Sequence, residues 1–178
     1  MAKIAKLPER RWRDARKLRL EALKTDPAAF GSSYEEEKVL LADEWRRRMK
    51  NTLFALAEGK PVGMITRAFS GRAKTRHVAA VYGFYVTPKS RGMGVGKLLL
   101  DAALRDIRDD KKIVKVQLSV NPEFRAALAL YRRAGFEVTG RARNELRVGG
   151  EYFDLLNMEK TIREPLGTKS GRRTSSTP

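Results

Sequence analysis

Apolar positions recur at two different spacings along this chain, and the changes of spacing mark the elements. Over residues 12–24, Ala15, Leu18, Ala22 and Leu23 fall three or four apart, which predicts a helix with one apolar stripe. It stops near Asp26-Pro27, because the residue before a proline is pushed out of the helical region. Gly31-Ser32-Ser33 reads as a turn. Ser33 and Glu36 then have capping-box spacing and open a second helix reaching Glu44, with residues 45–50 continuing it or starting another.

The texture then changes to short apolar runs. Residues 53–57 and 62–69 flank Glu58-Gly59-Lys60-Pro61, a turn composition, and predict a hairpin. A basic polar loop over 70–76 leads to a third strand over 77–86. Residues 94–109 are predicted helical, with Val95, Leu98, Leu99, Ala102 and Ala103 facing inward. Val114, Val116, Leu118 and Val120 alternate with Lys115, Gln117 and Ser119, the period of a strand. A helix over 124–134 ends at Gly135. Residues 146–148 and 151–160 flank Gly149-Gly150, the strongest hairpin turn in the chain. Two helices, a strand meander, a helix, a strand, a helix and a hairpin make an α/β (α+β) chain, a mixed sheet with helices on both faces.

Composition narrows the chemistry. The chain has 178 residues, 42% hydrophobic, enough for one domain with a real core. It has no cysteine and one histidine, His77. That excludes disulfide scaffolds, cysteine nucleophiles and thiolate metal sites, and leaves no ligand set for zinc, so no metal is expected. No stretch approaches the roughly 20 apolar residues of a membrane span and no secretion signal is evident, so a cytoplasmic protein without membrane contact is expected. The net charge is +17, from 38 Lys and Arg against 21 Asp and Glu. It divides as +5 over residues 1–52, +9 over 53–160 and +3 over 161–178, so it belongs to the body and not to one arm. Such a field attracts anionic cofactors, and contact with nucleic acid stays an alternative.

The chemistry concentrates in residues 86–97, VTPKSRGMGVGK. A strand ends, a proline turn follows, and Gly92, Gly94 and Gly96 open a helix. Unpaired amides at a helix N-terminus stabilise an anion, and glycines let phosphate oxygens come close. Counted against a P-loop, the segment has Arg91 in place of the first glycine and Leu98 in place of Ser or Thr. Counted as a Rossmann turn, Lys97 stands where the third glycine belongs. What remains is Arg-x-x-Gly-x-Gly.

That segment resembles the acetyl-CoA pyrophosphate loop of the GNAT superfamily, the Gcn5-related N-acetyltransferases. Leu130-Tyr131-Arg132-Arg133-Ala134-Gly135-Phe136 resembles the family's Leu-Tyr-x-x-x-Gly-Phe segment. Residues 30–37 and 150–154 also resemble segments of bacterial members, and the likeness covers about residues 4–160. It implies one twisted, mostly antiparallel mixed sheet of about six to seven strands. It implies a transferase domain, taken as 1–163; the composition beyond it, dominated by Gly, Ser, Thr, Lys and Arg from Gly167 onward, predicts a basic, disordered tail over 164–178. It also implies transfer of acetyl from acetyl-CoA to a primary amine by direct attack, in a monomer or homodimer.

Residue by residue, the resemblance gives the backbone of Tyr85 and Val86 to the pantetheine arm. The amides of Arg91, Gly92, Met93, Gly94, Val95 and Gly96 hold the pyrophosphate, with charge from Arg91 and Lys97. Tyr131 protonates the leaving thiolate, or else is a core aromatic. Phe124 stands where many relatives have Asn, with Asn121 as an alternative holder of the arm. Ala80 stands where some have a Glu base. The base is then His77, Glu35, Glu36 or a water chain, and Tyr34, Glu35 and His77 line the acceptor side. The acceptor is a small-molecule or protein amine. An RNA- or ribosome-associated substrate and a non-catalytic acyl-CoA-binding module are the alternatives.

Overall fold

The computed structural model describes residues 2–164. Seven strands form one open sheet: β1 (Lys3–Ala5), β2 (Thr52–Ala57), β3 (Lys60–Phe69), β4 (Val78–Val86), β5 (Lys115–Val120), β6 (Glu137–Val148) and β7 (Glu151–Thr161), in the order β1-β2-β3-β4-β5-β7-β6. Five α-helices join them: α1 (Trp12–Thr25), α2 (Tyr34–Lys38), α3 (Ala42–Met49), α4 (Val95–Asp109) and α5 (Arg125–Arg133). Each strand pair is antiparallel except β4 with β5. Each face of the sheet has its own core. Leu18, Leu23, Trp45, Phe54, Met64 and Tyr85 bring α1 and α3 onto one face. Leu99, Ala103, Ile107, Val116, Tyr131 and Met158 bring α4 and α5 onto the other.

Several local expectations change. The second helix breaks at Val39, Leu40 and Leu41 into α2 and α3, and the Trp45 indole donates to the Leu40 carbonyl at 3.2 Å across the break. The inward stripe of α4 is Val95, Leu99, Leu100, Ala103, Leu104 and Ile107, whereas Leu98 is exposed. The last hairpin is much longer than its turn suggests, because β6 begins at Glu137. Its alternation is hidden by register shifts at Val138/Gly140 and Ala142/Leu146 and by its position at the sheet edge, where polar side chains are tolerated on both faces. The three-residue strand β1 carries too few positions to show a period. The expected tail falls outside the described residues from 165 onward.

Candidate active site

The site is built where β4 and β5 part. They pair in parallel only at Val78–Lys115, Ala79–Val116 and Ala80–Gln117. Beyond that point β4 is carried away by a bulge: Gly83 and Phe84 together oppose Ile65 of β3, between the pairs Thr66–Tyr82 and Met64–Tyr85. Gly83 takes φ +60°, a left-handed conformation that costs a glycine nothing. The gap opens into a cavity of about 1380 Å³ lined from β4, β5, α4 and α5.

Alternation decides which backbone groups face the gap. The Thr87 amide donates to the Val62 carbonyl of β3 at 2.9 Å. Tyr85, two residues earlier, is therefore also turned toward β3, and Val86 is turned toward the gap. Arg91 Nε donates to the Val86 carbonyl at 2.9 Å, and by the same alternation the Val86 N–H is turned to the gap and away from β3. The expectation that Tyr85 offers its backbone here meets a different geometry. Its backbone is spent on the sheet, and its buried hydroxyl donates to Glu21 at 3.0 Å.

The glycine loop opens α4 at the same end of the cavity. Gly92 and Gly94 have φ of +76° and +78°, so they are glycines for conformation. Gly96 is a glycine for space, since a Cβ there would lie 3.2 Å from Phe84 Cζ and 3.4 Å from Leu130 Cδ2. Gly94 is the N-cap and provides no side-chain cap, so the amides of Val95, Gly96 and Lys97 stand without an intrahelical partner. With the dipole of a 15-residue helix behind them, they form an anion site. The basic side chains do something other than expected. Arg91 ties the loop down, through the Val86 carbonyl and an ion pair with Asp26, with its guanidinium over the Tyr85 ring. Lys97 pairs with Asp101 one turn along α4 at 2.6 Å.

Tyr131 comes to the cavity from α5. Its ring packs against Phe84 and Phe136, both with centroids at 5.9 Å. It is 6% exposed, and its hydroxyl has no hydrogen-bond partner among the described residues. Burial pushes the phenol well above its ordinary value near 10, so it stays protonated and keeps a proton to donate. Asn121 lines the same cavity but is engaged at both ends. Its Oδ1 accepts from the Glu123 amide at 2.9 Å, and its Nδ2 donates to the Ala28 carbonyl at 3.3 Å. It pins the start of α5 to the loop after α1.

The other expected residues are not brought here. His77 is exposed nine residues before Val86, about 30 Å away along an extended strand. Glu35 is exposed and paired with Lys38, Glu36 completes the Ser33 capping box, and Tyr34 packs under Lys24 at 4.2 Å. None lines the cavity. What the sequence reading missed lies beside it: a smaller cavity of about 380 Å³, sharing Arg19, Ser32, Tyr82 and Gly83 with the large one. Its floor holds Glu37, 2% exposed, gripped by Arg19 Nε at 3.0 Å and Nη2 at 2.8 Å and by Arg48 Nη1 at 3.1 Å. The signal was present in α1, where Arg19 sits four residues after Ala15 beside the apolar stripe. Among the described residues no group of three His, Asp or Glu side chains is placed to hold a metal ion, and no helix is long and apolar enough to cross a membrane.

Comparison with known proteins agrees with this geometry. The sequence profile of the acetyltransferase (GNAT) family matches residues 12–136. Mycothiol acetyltransferase of Paenarthrobacter aurescens is 30% identical over 122 residues, covering 64% of this chain and 38% of that protein. L-amino acid N-acetyltransferase AaaT of Escherichia coli is 25% identical over 121 residues, covering 65% and 74%. The structure of yncA from Salmonella typhimurium with its cofactor acetyl-CoA superposes with a TM-score of 0.81 at 17% identity, over 96% of this chain and 99% of that one. A profile match over most of the chain, falling on the split strands, the glycine loop and Tyr131, places this protein in the acetyltransferase (GNAT) family.

Proposed function

We propose that the protein is an acetyl-CoA-dependent N-acetyltransferase, its domain being residues 1–163, that acts on a primary amine in the cytoplasm. The observation that carries this reading is one cavity offering three things together. They are an open β4 edge with the Val86 N–H turned to the gap, uncapped α4 amides, and a protonated tyrosine. Those groups fit acetyl-CoA. The α4 amides of Val95, Gly96 and Lys97 would take the pyrophosphate, and the Val86 N–H would face the arm and polarise a carbonyl oxygen. Acetyl-CoA supplies a thioester whose acetyl carbon bonds to the amine nitrogen as the C–S bond breaks, one amine proton ending on the sulfur. Tyr131 on the cavity wall would give its phenolic proton to the sulfur and be reprotonated by the proton the amine sheds. Phe84 and Phe136 fix its ring, so the hydroxyl is positioned before substrate arrives. The carboxylates around the cavity are tied up, Asp26 by Arg91 and Glu159 by Lys115, while Glu123 lies on the exposed rim.

Two measurements test it. Acetyl-CoA at a hundred times its dissociation constant should stabilise the fold by about 2.7 kcal/mol, read as a rise in Tm. A panel of primary amines with acetyl-CoA should release thiol. No rise in Tm removes the cofactor assignment; a rise without thiol release from any amine removes the transferase.

A further inference from the structure

The end of the sheet opposite the glycine loop carries a cluster of cations that acetyl transfer does not use. β4 runs from Val78 to Val86, so the two ends lie a strand's length apart, roughly 26 Å. Several turns meet at the far end. The Val114 amide donates to the His77 carbonyl at 2.9 Å, and the Ile162 amide donates to the Val114 carbonyl at 2.7 Å. Arg163 spends its guanidinium on the carbonyls of Arg108, Asp110 and Ile113, which closes the last turn of α4 onto the end of β7. The loop over 70–77 is fixed from within. Its Thr75 amide donates to the Arg72 carbonyl at 3.0 Å, and the Ser70 and Thr75 hydroxyls share a hydrogen bond of 2.6 Å. On this frame stand Arg72, Lys74 and Arg76 from one loop and Arg108, Lys111 and Lys112 from the other, all exposed. The ion pairs formed at this end are Arg67 with Asp106 and Lys115 with Glu159, and the six exposed cations have no carboxylate partner among the described residues. Asp109 and Asp110 stand among them, leaving +4, while Arg163 and Glu164 cancel. Most cations of α1 are otherwise engaged: Arg11 pairs with Asp14, Arg13 lies over Trp12 and Lys24 over Tyr34.

An aromatic face adjoins the cations. Arg67 reaches Asp106 of α4, and strand alternation puts Phe69, two residues on, on the same side of the sheet by the last turn of that helix. Phe69 is 40% exposed, and the 70–77 loop follows it directly. We propose that this end of the sheet binds single-stranded nucleic acid. The six cations take phosphates and release their counterions, and the Phe69 ring stacks an unpaired base. Two other polyanions fit worse. A duplex keeps its base faces stacked away from Phe69, and a membrane surface asks for an amphipathic apolar face where this end offers one ring. The surface stands apart from the acetyl-CoA cavity, so it localises the protein and takes no part in the transfer step. It holds whether or not the acetyl-transfer reading does.

The test uses the full chain and fluorescent oligouridylate and oligothymidylate of about twenty nucleotides, with a duplex of the same length, read by anisotropy across a salt series. Six phosphate contacts on a single strand give a log–log slope of about −4, a loss of about 300-fold between 50 and 200 mM salt. The triple variant Arg72→Ser, Lys74→Ser, Arg76→Ser should bring the slope to about −2 and weaken binding about a hundredfold at 0.1 M salt. The variant Lys6→Ser, Arg10→Ser, Lys17→Ser removes the same charge from exposed positions elsewhere. It should stay within about threefold of wild type, because charges beyond about 10 Å are screened at that salt. Phe69→Leu should cost about tenfold for the single strands and nothing for the duplex. Both single strands should bind alike, and saturating acetyl-CoA should displace neither. Equal losses in the two triple variants mean a diffuse field and overturn the proposal. Displacement by acetyl-CoA puts the strand on the glycine loop and overturns it too. So does a duplex held as tightly as the single strands, or no binding at 50 mM salt. Binding to phosphatidylserine vesicles without binding to oligonucleotides assigns the cations to a membrane instead. Should the loop variant fail to fold, as read by Tm, the duplex, acetyl-CoA and Phe69→Leu measurements decide.

Discussion

Replacing Tyr131 by Phe removes the buried phenolic proton donor from the cavity wall. The ring contacts to Phe84 and Phe136 at 5.9 Å survive the change, and the lost hydroxyl has no partner among the described residues. Stability should therefore move by less than about 1 kcal/mol, whereas Tyr131→Ala, which empties a buried ring site, should cost about 3–5 kcal/mol. Turnover should respond in the opposite proportion. A positioned general acid contributes roughly 10²–10⁴-fold, so kcat should fall by that factor, about 3–5 kcal/mol of barrier, with KM for acetyl-CoA little changed. The pH profile supplies an independent sign. Burial raises the phenol, so its acid form persists above the ordinary value near 10, and no alkaline loss of kcat below about pH 10 should belong to this group. Thiol release under saturating acetyl-CoA, with Tm measured on the same samples, gives both numbers. A folded Tyr131→Phe protein whose kcat stays within about threefold of wild type, under 0.7 kcal/mol, would refute the role and leave Tyr131 as packing.

Three further outcomes follow from the geometry. Gly96→Ala places a methyl 3.2 Å from Phe84, so KM for acetyl-CoA should rise about tenfold while the strain, roughly 1–3 kcal/mol, is partly offset by the better helix propensity of Ala; unchanged KM and Tm would show that the wall yields. Asp26→Ala frees Arg91 from its tie and should raise KM for acetyl-CoA with kcat retained; because Arg91 is half exposed, Tm should barely change. Glu37→Gln leaves two arginines facing a neutral amide and should destabilise by about 3–5 kcal/mol at neutral pH. Since the folded carboxyl of Glu37 lies below its ordinary 4.5, its contribution is fully present above that pH and is lost as pH falls through the folded value, so the wild-type advantage should shrink below about pH 4.5 in acid melts. A constant difference down to pH 3 would contradict the buried pairing.

The site was legible in proportion to how local its chemistry is. Gly92, Gly94 and Gly96 answer to backbone conformation and close approach within one turn of chain, and the segment around Tyr131 reads from helix spacing and the glycine that ends it. The second cavity was not legible. Arg19, Glu37 and Arg48 come from three separate helices, and each alone looks like an exposed charge on an amphipathic surface. Glu35, Glu36 and Glu37 are consecutive, yet one pairs with Lys38, one caps a helix and one is buried. Only the 100° turn between successive residues of α2 separates those fates.

By itself, then, the sequence determined the periodicities that make the helices and most strands, the turn at Gly149-Gly150, and the loop of three glycines that opens α4. These depend on interactions within a few residues, which composition and spacing record directly. The tertiary structure decided the rest. It decided that β4 bulges at Gly83 and leaves β5, and that Val86 and not Tyr85 turns its amide to the gap. It spent the charge of Arg91 on holding a loop, and it left Arg19 beside a second cavity with one nitrogen unpaired. Those outcomes depend on which distant groups compete for the same donors and acceptors once water is excluded, and that competition exists only after the chain has closed on itself.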